Sequence, residues 1–366
     1  MNRWTFGMSE LFFLLSKDRA AMNRHLQAAA GILLSAALIR VGADTVHRNT
    51  GTTTSFDFLR IGYDARSVAL GGASAGLPGC FSGLPANPAA LGRNEGHSVA
   101  LGYRPVILDI RGVPLSYSVP VRRLGPDIRG VVGASIVYFS YGSLDEINRY
   151  RARTGVTWNP YALAGGVSWA DVVWDELAVG ATIKGIYDRI GSSAGETYTV
   201  EAFALDAGAQ YHLSRERLVL GITMKNLGFV RSAHGADSPT PELPLIAVFG
   251  LSYIPPGLSQ VRLVADMRKS SDDFLTYRTG LELDVYEKHL FLRGGLTLNN
   301  RDIREGINTL RGEQDVAYQK PEWTTGTFGI GFRSRIENVG VRGDLAYQTR
   351  VGGLPPSILM STTLEY

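Results

Sequence analysis

The 366-residue sequence predicts a transmembrane antiparallel β-barrel of about fourteen strands, with an N-terminal segment folded into its lumen. Three observations predict it. Apolar and polar residues alternate with a period of two along about a dozen stretches, the signature of strands with one oily face. Charges fall repeatedly on the parity opposite the apolar set. Connections between the stretches alternate short and long, as periplasmic turns and outer loops do.

Composition agrees. Charged residues make up 19% of the chain, below the roughly 25% of soluble proteins. Past the leader, no segment holds the roughly 20 consecutive apolar residues that a membrane helix needs. Glycine (43) and tyrosine (16) are abundant. A net charge of +3 is too small to argue for nucleic acid as a partner. The single cysteine, Cys80, excludes an intramolecular disulfide and a cysteine-based zinc cluster.

Residues 1–43 read as a leader. From Met22 the text is that of an export signal: basic Asn23-Arg24-His25, an apolar run over 26–39, and Val41-Gly42-Ala43 as a small-residue cleavage site. Translation is expected to start at Met22 and the mature chain near Asp44. Residues 44–96 do not alternate. Gly71, Gly72 and Gly76 relax the backbone, and Asn87 is placed to cap a short helix with Pro88 at its first position. About forty semi-regular residues ahead of a barrel are expected to fold into the lumen as a plug or hatch.

Residues 97–366 are the barrel. Val99, Leu101 and Tyr103 open the series, and Val113, Leu115, Tyr117 and Val119 follow. The run 131–141 is less regular. Further strands centre on 161–169, 177–187, 203–213, 218–224, 245–253, 261–267, 275–285, 290–296, 328–332 and 339–347. The chain closes on Ile358, Met360, Leu364 and Tyr366, with Thr362 on the same parity. An aromatic end on a soluble edge strand would invite wrong pairing, so this strand is expected to pair with the first and leave no edge. The opposite parity carries Lys184, Asp188, Arg262, Asp266, Arg268, Arg278, Glu282, Asp284, Arg293, Arg333, Arg342 and Asp344. These are the expected lumen charges, of both signs, able to pair across strands and hold the plug. Short connections fall near 122–127, 171–175, 214–216, 255–258, 287–289 and 334–336; long ones include 142–155, 229–242 and 299–322. Tyr103, Trp158, Trp169, Tyr187, Tyr253 and Trp323 are candidates for the aromatic girdles.

The plug segment also carries a resemblance. Phe58-Leu59-Arg60-Ile61-Gly62-Tyr63-Asp64-Ala65-Arg66, continuing through Leu70-Gly71-Gly72-Ala73, and then Ala86-Asn87-Pro88-Ala89, resemble the N-terminal signature of the PorV/PorQ family of outer-membrane proteins, within the wider FadL-like barrels. Lys225-Asn226-Leu227-Gly228 resembles a strand-end motif of the same family. Ala86 stands where the family commonly has tryptophan. The resemblance implies a component of type IX secretion that docks or shuttles secreted proteins, with translocon or surface-attachment proteins as partners beside outer-membrane lipid. The FadL branch implies instead a transporter of hydrophobic solutes. No catalytic, cofactor or metal motif is present. A third and weaker reading, a lipid A deacylase-type barrel, would need His212 with Asp206, or His97, as a catalytic pair.

Overall fold

A computed structural model describes residues 56–366 except 80–82, 122–128, 148–149, 151, 194–195, 214–216, 234–240, 272, 274, 301–324 and 351–353. The leader, Cys80, Trp323 and most of the long connection 299–322 lie outside the described residues.

Fourteen antiparallel strands close into one barrel. They begin with β1 (Ser98–Pro105), β2 (Arg111–Pro120) and β3 (Val131–Ser140). The connection after β3 carries a separate two-stranded sheet, β4 (Leu144–Ile147) with β5 (Arg153–Trp158). The barrel resumes with β6 (Tyr161–Trp174), β7 (Leu177–Ser193), β8 (Glu196–Leu213) and β9 (Leu218–Ala233). It continues through β10 (Ile246–Tyr253), β11 (Val261–Ser270), β12 (Thr276–Tyr286) and β13 (Leu290–Asn299), then β14 (Thr325–Ile336), β15 (Val339–Gln348) and β16 (Ser357–Glu365). β16 pairs with β1 in antiparallel register, from Ser98↔Glu365 to Tyr103↔Met360. Closure satisfies every edge, which hydrocarbon requires.

The parity read from the sequence is the parity of the wall. Large apolar side chains stand outward, with Ile183 69%, Phe328 61% and Ile358 52% exposed. Their neighbours in sequence are buried inside. A soluble core would bury both sets; only lipid makes this arrangement stable. Aromatic residues mark both borders. Tyr138, Tyr161 and Tyr187 stack outward near the long connections, with ring centroids 5.9 and 6.1 Å apart. At the short-turn end His97 stacks on Tyr366 at 5.2 Å, where the chain closes on itself. Trp158 departs from its expected place: it lies on β5, in the small sheet, and not on a barrel strand.

Two further features differ from the sequence reading. β7, β8 and β9 run 17, 18 and 16 residues, well beyond the roughly ten that cross a membrane, so their hairpins continue past the lipid. β9 also changes parity part-way. Asn226 takes a left-handed φ of 64°, and the register with β8 shifts between Leu205 and Ala207. Before this bulge Val219 and Thr223 face inward; after it Asn226 does, and Leu227 and Phe229 turn outward. An extra residue flips the side chains that follow it, here as far as Val230, where a second shift in register intervenes.

Candidate functional site: an occluded lumen

The described residues of 56–92 lie within the barrel, where they reach strands on opposite sides of the wall. A single helical turn, α1 (Ala65–Ala69), begins at Asp64, whose carboxylate accepts from Ser67 N at 2.8 Å. Capping satisfies an amide that burial would otherwise orphan. Val68 and Ala69 on α1 pack on Ala346 and Leu359 of the inner wall. Gly71 and Gly72 then turn the chain at φ of 71° and 79°, a conformation side chains disfavour. A Cβ on Gly71 would sit 2.6 Å from Leu296 O, so the wall approaches too closely for any other residue. Gly76 serves differently. Its φ is ordinary, but a Cβ would meet Val219 O at 2.8 Å.

The second anchor is Asn87. Its side chain caps a 3-10 turn, Pro88–Arg93, by accepting from Ala89 N at 3.1 Å. Its amide nitrogen is shared among Ala75 O at 2.9 Å, Ala209 O at 3.2 Å and Ile222 O at 3.3 Å. One asparagine thus ties two parts of the segment to β8 and β9.

The ionic anchor spans several strands. Arg66 donates from Nε and Nη2 to the two oxygens of Glu282 at 2.8 and 2.7 Å, and from Nη1 to Pro78 O at 2.8 Å. Arg293 donates to the same Glu282 at 2.7 Å and to Asp344 at 2.6 Å. Arg262 lies 3.6 Å from Glu282, and Arg342 lies 3.4 Å from Asp344 while donating to Gly79 O at 2.8 Å. Arg278 donates to Gly72 O at 3.1 Å. Asp266 accepts from Ser74 N at 2.6 Å and Ala75 N at 3.1 Å. Wall charges therefore bind the segment's backbone as much as they bind one another, which makes each bond strong and its loss costly.

The remaining predicted residues are placed as follows. Lys184 and Asp206 form a pair 1% and 0% exposed at 2.7 Å. Asp206 also accepts from Asn226 N at 2.7 Å, so the pair holds the β9 bulge and not the plug. Asp188 accepts from the Tyr141 hydroxyl at 3.0 Å; burial and the Asp188 charge push the Tyr141 phenol up, keeping it a donor. Arg268 is half-buried on the inner face of β11. Asp284 does not reach the plug: it accepts from Lys288 N at 2.8 Å and caps its own hairpin turn. Arg333 is exposed towards the short-turn end of β14, across from Arg342 on β15. In the segment, Arg60 pairs with Asp57 at 3.2 Å, Phe58 and Leu59 are buried, Gly62 packs near Val68, and Ala65 N donates to Ser361 Oγ at 3.3 Å. His212 and Asp206 do not meet. They are six residues apart on one strand, about 20 Å, and Asp206 is taken by Lys184.

The expectation of an ionic inside holds for only part of the wall. Towards the long connections, the inner faces of β3, β6, β7 and β8 present Val137, Phe139, Ala162, Ala164, Ile186, Ala202 and Ala204. Phe58, Leu59 and Tyr63 of the segment fill the space before them. Phe58 stacks on Phe139 at 5.7 Å, and Tyr141 meets Phe139 edge-on at 5.1 Å. The Tyr63 hydroxyl donates to Phe58 O at 2.8 Å. The lumen thus has an ionic sector and an apolar sector, and the plug complements each with its own chemistry.

No protein-family model matches the sequence, and no curated protein matches it. Solved structures do match. The toluene transporter TodX of Pseudomonas putida superposes with a TM-score of 0.53 at 14% identity, over 83% of this chain and 98% of that one. The protein has the fold of the FadL-like outer-membrane barrels. The Ralstonia pickettii toluene transporter TbuX gives 0.50 at 14% identity, over 83% and 97% of the two chains. CymD, a monoaromatic hydrocarbon channel, gives 0.50 at 14% identity over 83% and 96%. With this fold the chain is a bacterial outer-membrane protein; barrels of this kind carry their long connections outside and their short turns in the periplasm.

Sequence reasoning missed the apolar sector, the partnership of Arg66 with Glu282, and the role of Asn226. The first had a signal: 131–141 is apolar on both parities, which a strand between lipid and an apolar lumen requires.

Proposed function

We propose that the protein is an outer-membrane channel for small apolar molecules, closed by its own N-terminal segment. The apolar sector carries this reading. A water-filled solute pore needs no inward Val137, Phe139 or Ile186. A path for hydrocarbons does, because a ring that buries about 150–200 Å² there gains roughly 4–5 kcal/mol before the cost of association. Phe58 occupies that position now and is the group a solute would displace. Three solved barrels of this fold are described as toluene or monoaromatic hydrocarbon channels, which supports the same class of cargo. The ionic sector would bar water and ions while the solute passes.

The test is accumulation of a radiolabelled monoaromatic hydrocarbon, at limiting concentration, by cells that carry or lack the protein. Uptake should fall on deletion, return with the wild-type chain, and stay low with Ala164→Trp, which fills the sector. Uptake that is unchanged by deletion would remove the proposal. Docking of secreted proteins rests on the PorV/PorQ-like motif alone. A secretion defect on deletion, together with normal hydrocarbon uptake, would favour it.

A further inference from the structure

The outer surface of the barrel carries an arrangement that neither closure nor transport uses. Along one register row, Arg111 pairs with Ser140, Ser140 with Tyr161, and Tyr161 with Arg189, across β2, β3, β6 and β7. Directly paired residues share a face, and Tyr161 stacks in the outward row of tyrosines, so all four point outward. Arg189 lies over the Tyr161 ring at 6.0 Å. Among the described residues, neither Arg111 nor Arg189 has a carboxylate within ion-pair distance. One step towards the membrane, the same strands present Val113, Tyr138 and Tyr187, and below them begins the lipid-facing apolar band. Three strand spacings, about 14 Å, separate the two arginines, and strand tilt spreads them over roughly 9 Å of depth.

We infer that this row is a binding site for a phosphorylated lipid headgroup of the outer leaflet. Two unpaired guanidinium groups suit phosphate, which they contact through forked donors. The Ser140 and Tyr161 hydroxyls between them add donors, and the apolar step below accepts acyl chains. A soluble anion would find the guanidinium groups but would leave that apolar step uncovered. Glu201 of β8 stands beside Tyr187 in the step below and is already paired with Arg231 at 3.4 Å, so it leaves the positive charge of the row in place.

The site is tested with the full barrel in detergent, titrated with bisphosphorylated lipid A. Arg111→Gln/Arg189→Gln should weaken binding about thirtyfold. Arg217→Gln, at the exposed short-turn end, should leave it unchanged. Heat-modifiable migration in gels confirms that each variant is a closed barrel. Dephosphorylated lipid A should bind both chains alike, and inorganic phosphate should not compete. Equal affinity of the double variant and wild type overturns the site. So does an equal loss with Arg217→Gln, or with dephosphorylated lipid A. Competition by inorganic phosphate would show a bare anion site and overturn the assignment to a lipid.

Discussion

Glu282→Gln isolates what holds the plug. Glu282 is buried and accepts from Arg66 and Arg293, with Arg262 close by. The amide keeps the volume and one acceptor but removes the charge. Arg293 retains Asp344 at 2.6 Å. Arg66 loses its carboxylate partner and keeps Pro78 O, a carbonyl of its own segment. Stripping the counter-charge from a buried ion costs about 3–5 kcal/mol. The surviving acceptor puts this case at the low end, about 3 kcal/mol. The cost falls on the seated state, because Arg66 regains water when the segment leaves. The unseated population should therefore rise roughly a hundredfold. Single-channel recording in planar bilayers reads this as the frequency of open events. Asp284→Asn is the control, since it disturbs only a hairpin turn. Arg66→Gln should open the channel less than Glu282→Gln, because Glu282 would keep Arg293 and Arg262. Closed times equal to wild type in Glu282→Gln, with the barrel intact, would refute the anchor.

Two further outcomes follow from the same geometry. Lys184→Met strands Asp206 at the β9 bulge and should cost about 3–5 kcal/mol in urea unfolding; Lys184→Met/Asp206→Leu should recover most of it, and no recovery would contradict the pairing. Gly295→Ala places a Cβ 2.1 Å from Gly71 N, whereas Gly343→Ala meets nothing within 4 Å; the first should unseat the plug by about 1–3 kcal/mol of overpacking, read by protease access to the segment, and the second should not.

The outward half of the fold was legible because lipid is an unforgiving solvent. Ile183, Phe328 and Ile358 must be apolar, and the alternation around them names their strands. The inward half was less legible because the plug, and not water, is its solvent. Leu359 faces inward without penalty because Val68 covers it. On β3, Val137 and Phe139 face the plug while Ile136 and Tyr138 face lipid, so the period-two signal fades. β4 and β5 went unread for the opposite reason: β5 is exposed on nearly every residue and has no oily face to show. Charges could be assigned to the lumen by parity, but their partners could not. Nothing local tells Arg66 that Glu282, 216 residues away, will be beside it.

The reading of the lumen as a hydrocarbon path stands or falls on what occupies the apolar sector. A crystal of the protein soaked with iodobenzene tests it through the anomalous signal of iodine. A peak is expected among Phe139, Ala164 and Ile186, with Phe58 turned away from its stack. Peaks confined to the lipid-facing surface, with Phe58 unmoved against Phe139, would contradict it.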